Sequence, residues 1–193
     1  MSTDNAVLTR GLPESLQRFM RETCGIPLAV LVARPGAELP EPARQLLVHG
    51  QDMTSTLAAF HGSPLGVEVL QRRQDDTLYF REVFLRTRSD DRIVEYGVIA
   101  IALEQFTPLQ REAILAGEIP LGELLHRFRI PFVSAPIGFF SVSSASLGDR
   151  PFAVPGDTLC HGRFNRLGKP TGETLAWILE ILPPANLPPA SPA

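Results

Sequence analysis

The chain has 193 residues, 44% of them hydrophobic and 20% charged, with a formal net charge of −3. A single domain of that size buries about 70% of its unfolded surface and needs no disulfide or metal staple. The mild acidity, without any lysine–arginine block, excludes the basic field that nucleic acid requires.

In chain order, residues 1–10 are polar and lack the basic head and apolar stretch of a signal peptide. They read as a disordered lead. Pro13 to Glu22 predicts a short helix with Leu16, Phe19 and Met20 on one face. After a proline-punctuated stretch, Pro42 to Val48 predicts another turn or two. Asp52 is a natural N-cap for a helix carrying Leu57 and Phe60 at core spacing, ended by Gly62 and Pro64. The period then changes to two. Strands are predicted from Leu65 to Arg73, Leu78 to Arg88 and Ile93 to Leu103, separated by polar turns. Ile93 to Leu103 is the most apolar run, but at about 11 residues it falls short of the roughly 20 of a membrane helix.

Pro108 to Ala116 predicts a helix closed by Gly117, and Leu121 to Phe128 a second behind Pro120. Without basic residues the pair is not a DNA reader. Strands over Ile137 to Val142, Thr158 to Gly168 and Gly172 to Leu182 complete the set, the last two joined by a Gly168–Gly172 turn. Residues 184–193 form a proline-rich tail read as disordered. The expected fold is α+β, one domain over residues 11–183 with a six-stranded antiparallel sheet packed by short helices. Cys24 and Cys160 have no CxxC spacing and read as idle thiols of a cytoplasmic protein.

Polar residues in apolar company point to the site. Alternation puts Arg81 on one face with Tyr79, Val83 and Leu85. A buried guanidinium needs an anion, and its planar fork suits a carboxylate, from an internal acid or from a ligand; otherwise the strand turns that face to solvent. Glu180 shares a face with Ala176, Ile178 and Leu182. It is a partner for Arg81, an outward edge residue, or a carboxyl tuned by desolvation for acid–base or hydrogen-bonding work. Glu95, beside Ile93, Ile99 and Ile101, competes for either role. The four histidines lack metal spacing, and there is no phosphate-binding glycine loop or nucleophile elbow.

Five segments in order carry a resemblance: Asp52-Met53-Thr54; Phe80-Arg81-Glu82-Val83-Phe84-Leu85; Pro120-Leu121-Gly122; Gly162-Arg163-Phe164-Asn165-Arg166-Leu167; and Glu180-Ile181-Leu182-Pro183. The chain resembles chorismate pyruvate-lyase, which forms 4-hydroxybenzoate (a ubiquinone precursor) and pyruvate, over roughly three quarters of its length. The resemblance implies an internal pocket under two helical flaps, here the helices Pro108–Ala116 and Leu121–Phe128. It also implies that Arg81 and the Leu121 N–H hold the ring carboxylate, that Glu180 meets the ring hydroxyl, and that Met53 lines the site. Arg81 and Glu180 would be the catalytic pair, with no metal or other cofactor. The stretch Tyr96-Gly97-Val98-Ile99 has no cation where the family carries another arginine, so Arg163 or Arg166 is expected to take the second carboxylate. Small molecules are the expected partners of a monomer or weak homodimer, with neither nucleic acid nor membrane. A non-catalytic aromatic-carboxylate binding module of the same fold is the alternative.

Overall fold

The computed structural model describes residues 8–148 and 158–184. The expectations for residues 1–7 and for the tail from 185 onward lie outside them. The helices are α1 (Glu14–Glu22), α2 (Ala43–Leu47), α3 (Met53–His61), α4 (Pro108–Ala116) and α5 (Leu121–Arg127). The strands are β1 (Val32–Arg34), β2 (Leu65–Gln74), β3 (Tyr79–Thr87), β4 (Ile93–Ile101), β5 (Val133–Ser143), β6 (Leu159–Gly168) and β7 (Thr174–Leu182). The class is α+β as expected. Among the described residues no helix is long and apolar enough to cross a membrane.

The sheet has seven strands rather than the expected six, in the order β1-β5-β6-β7-β4-β3-β2, all pairs antiparallel. The added strand β1 is a three-residue edge against one end of β5, where Val32 pairs with Ser141. Three residues are too few to show a period, so only the tertiary partner reveals them. The meander β2–β3–β4 crosses through α4 and α5 to β5, and β7 returns to lie beside β4. This return places the last strand at the centre of the sheet.

Alternation gives the sheet two covered faces. On one, Phe80, Phe84, Tyr96 and Phe164 pack against Leu16, Phe19 and Met20 of α1, the predicted apolar stripe. Glu82 also points there, accepting a hydrogen bond from the Tyr96 hydroxyl at 2.7 Å. Helices α2 to α5 cover the other face in two apolar patches. Leu121, Leu124 and Leu125 of α5 pack on Ile99 and Ile101, while Met53 and Leu57 of α3 pack near Leu85 and Val94.

Several sequence expectations shift at irregular points. Leu8, expected in the disordered lead, is buried at 2% exposure and fills the space above Gly138, where a Cβ would lie 3.0 Å from Leu8 Cδ2. Strand β5 starts at Val133, earlier than the predicted Ile137, because a bulge between Pro136 and Gly138 absorbs residues that read as strand breakers. A second bulge sets Arg86 opposite Ile93 next to the Leu85–Glu95 pair. It turns Ile93 toward the α1 side, so Ile93 does not share a face with Glu95 as plain alternation predicts.

Gly162 fixes the centre of the sheet, since a Cβ there would sit 2.4 Å from the Glu180 carbonyl oxygen and 2.5 Å from Phe140 Cζ. Both obstacles belong to the packed interior. Gly162→Ala should therefore lower the unfolding free energy by about 1–3 kcal/mol, the usual cost of overpacking, read as a reduced midpoint in urea.

Candidate functional site

Strand β3 aims Arg81 at the face covered by α3 and α5 while sending Glu82 into the opposite core. The Arg81 side chain is buried at 3% exposure, and its Nε and Nη1 find no hydrogen-bond partner among the described residues. Burial draws its pKa down to about 10, opposed by the neighbouring Tyr79, so the group stays cationic at neutral pH. The expected internal acid is not Arg81's partner.

That acid, Glu180, is taken by another cation. Register sets Glu180 opposite Arg163 on β6 and opposite Gly97 on β4. Arg163 Nε donates to Glu180 Oε2 in a short contact, and both side chains are almost fully buried. Arg163 Nη1 donates to the carbonyls of Leu47 at 2.9 Å and His49 at 3.1 Å, and Nη2 to that of Gln51 at 3.2 Å. Its fork is consumed by one carboxylate and by the segment that leads into α3. Arg163 therefore stands behind Glu180 and does not line the cavity, contrary to its expected place at a second carboxylate. Arg166 is exposed and points away.

The cavity brings together the other expected residues: Arg81, Glu180, Leu121 and Met53 all line it, with Glu95 as a further wall. Its volume is about 50 Å³. Among the described residues Arg81 is the one lysine or arginine on its lining. The covering helices are α3 and α5. Helix α4, expected as a flap, instead backs α5 through Ile114, with Leu109 65% exposed. A single strongly buried position gives α4 too narrow an apolar stripe to roof a pocket.

The two roof helices cross closely because two of the sequence segments meet there. Asp52 caps α3 by accepting from the Ser55 N–H at 2.8 Å, and its other oxygen lies 3.0 Å from His126 Nε2 on α5. A Cβ on Gly122 would come within 2.6 Å of Asp52 Oδ1 and 2.8 Å of Thr54 Oγ1. The glycine after Leu121 thus permits the crossing, and Leu121 sits in a first turn whose N–H groups have no intrahelical acceptor.

Glu95 is the residue whose role alternation left undecided. It is 4% exposed, and its Oε2 has no hydrogen-bond partner among the described residues. Burial holds its carboxyl well above the usual carboxylate range; Glu180 and Asp52 push the same way, against the pull of Arg163. Gly97 is a second feature that side-chain chemistry could not signal. Its missing side chain forms the floor between Glu95 and Glu180, and a Cβ there would lie 3.1 Å from Val83 Cγ2 and 3.3 Å from Glu95 Oε1.

No protein-family model and no curated protein matches the chain. Among solved structures it is similar to a gene product of Staphylococcus aureus, with 11% identity and a TM-score of 0.48 over 70% of this chain and 90% of that one. It is also similar to a possible transcriptional regulator from Bacillus subtilis, with 6% identity and a TM-score of 0.45 over 63% of this chain and 58% of that one.

The two buried arginines should respond oppositely to removal. Arg163→Met leaves the Glu180 charge and three carbonyls stranded and should cost about 3–5 kcal/mol in denaturant unfolding. Arg81→Met removes an unpartnered cation and should stabilise the ligand-free protein by about 1–3 kcal/mol.

Proposed function

We propose that the cavity binds the carboxylate of a small aromatic or pre-aromatic ring, and that the protein is a lyase converting chorismate to a hydroxybenzoate and pyruvate. One observation carries the reading: Arg81, a buried guanidinium whose Nε and Nη1 have no hydrogen-bond partner among the described residues, lines a cavity where a carboxylate would complete it. The resemblance to chorismate pyruvate-lyase supports the same reading, because all five of its segments contribute residues to this one cavity, the fourth through Leu167 alone.

The reaction asks little of the protein. The C3–O bond of chorismate breaks, the C4 hydrogen leaves as a proton, the ring becomes aromatic, and the enolpyruvate released ketonises to pyruvate. Arg81 orients the ring carboxylate. Glu180, fixed by Arg163, accepts the ring hydroxyl, and α3 and α5 exclude water so that these contacts act in a low dielectric.

The cavity of about 50 Å³ compares with about 150 Å³ for one that holds benzene, so a ring enters only with a shift of the roof. Helix α5 is the mobile candidate in this reading: it starts after the left-handed Gly117 (φ 69°) and is tied to α3 by the Asp52–His126 contact. Release of product then requires the same movement and limits turnover.

A second reading, a non-catalytic module that binds an aromatic carboxylate, is favoured by the charge count. Chorismate has two carboxylates, whereas among the described residues Arg81 is the one lysine or arginine on the lining and Arg163 is engaged.

Incubation of the intact chain with chorismate separates the two. The lyase reading expects hydroxybenzoate and pyruvate in equal amounts, with a pre-steady-state burst of about one product per site. Arg81→Ala should weaken hydroxybenzoate binding by about 2–5 kcal/mol, and Arg81→Lys should recover little of it. Tight 4-hydroxybenzoate binding without pyruvate would establish the binding module, and unchanged affinity in both variants would remove Arg81 from the site.

A further inference from the structure

Two carboxyl groups stand side by side at the end of the cavity away from Arg81. Glu180 lies opposite Gly97 across the β4–β7 pair, and Glu95, two residues along β4, leans its Oε1 back over Gly97. They differ in what they have left to offer. Glu180 Oε2 is held by Arg163, whereas Glu95 Oε2 is buried without a hydrogen-bond partner among the described residues. Arg81 lies opposite Ile99, two residues from Gly97 and so about 7 Å along the sheet. A ring whose carboxylate meets Arg81 therefore points its far edge at both carboxyls.

We propose that Glu95 is a specificity-determining residue, donating a hydrogen bond to a neutral oxygen on the ring carbon next to the one that Glu180 reads. The proposal rests on the reading of the cavity as a ring-carboxylate site. It defines the ligand class as rings with oxygens at the 3 and 4 positions relative to the carboxylate, the 3-oxygen being an ether or hydroxyl and not an anion.

The charges around Glu95 agree with a donor role. Facing it are Glu180 on β7 with its partner Arg163 on β6, Asp52 at the head of α3 with its partner His126 on α5, and Arg81 further along β3. Arg163 is already engaged by Glu180, and Asp52 is held by the Ser55 N–H and His126, so Glu95 is the carboxyl left without a partner among the described residues. Like charges in one buried site leave a proton on one of them. The orphaned Oε2 is where that proton has an acceptor to find, and a buried donor left unmet is costly enough to discriminate between ligands.

An isosteric ligand pair tests this. Calorimetry of the intact chain compares 4-hydroxy-3-methoxybenzoate with 4-hydroxy-3-ethylbenzoate, which replaces the ether oxygen by a methylene group. The wild type should prefer the methoxy compound about tenfold, the worth of one buried hydrogen bond. Glu95→Gln, which still donates, should keep the preference; Glu95→Leu should erase it. The wild-type preference should fall as pH rises and Glu95 ionises, and stay flat in Glu95→Gln. Equal affinity for the two compounds in the wild type, or a preference surviving in Glu95→Leu, overturns the proposal. So does binding of 4-hydroxybenzoate alone, with both 3-substituted rings rejected, because the 3 position would then not face Glu95. Failure of the underlying reading looks different: no 4-hydroxybenzoate binding at all, or undiminished binding by Arg81→Met.

Discussion

A guanidinium placed on the covered face of a sheet must be answered by an anion or by carbonyls, because moving it out of water costs several kcal/mol that packing alone does not return. The protein contains this problem twice, on strands three apart, and resolves it in two ways. Arg163 is answered from within by Glu180 and by three carbonyls, that of Leu47 at the end of α2 and those of His49 and Gln51 in the segment leading to α3. Arg81 is left in the cavity wall with two nitrogens that no described residue meets. The first arrangement stabilises the fold. The second sacrifices stability at one point, which the proposed function accounts for by a group that arrives from outside.

The two arginines are nevertheless linked. Arg163 holds Glu180 in place on β7 and also ties down the chain leading to Asp52, which caps α3 and contacts His126 on α5. The floor and roof of the cavity thus depend on one buried cation. Small residues supply the remaining tolerance. Gly162 lets Phe140 and the Glu180 backbone close over β6, Gly122 lets α5 touch α3, and Gly97 leaves the space between Glu95 and Glu180. Each would force a clash or a squeeze with one added carbon, so the cavity is shaped as much by absent side chains as by charged ones.

Local pattern revealed most of the elements because they obey it. The stripe of α1, the Asp52 cap of α3 and the proline–glycine limits of α4 are all local signals, and the structure has them within a residue or two. Alternation also set Arg81 and Glu180 among apolar neighbours, with burial or an outward face both left open, and the structure buries both. What it could not give was partnership. Glu180 could have answered either arginine, and only the order of strands, with β7 between β4 and β6, puts Arg163 directly across from it. The same limit hid the β1 edge, the flip of Ile93 at a bulge and the displacement of α4 from the roof. Each is decided by a neighbour distant in sequence.

The central claim is that a carboxylate completes Arg81. A crystal structure of the protein with 4-hydroxybenzoate tests it directly. The account predicts the ligand carboxylate about 2.7–2.9 Å from the Arg81 guanidinium nitrogens, with the ring directed toward Gly97 and its hydroxyl at Glu180. A ligand bound elsewhere, or an Arg81 side chain that remains unmet beside a bound ring, would contradict it.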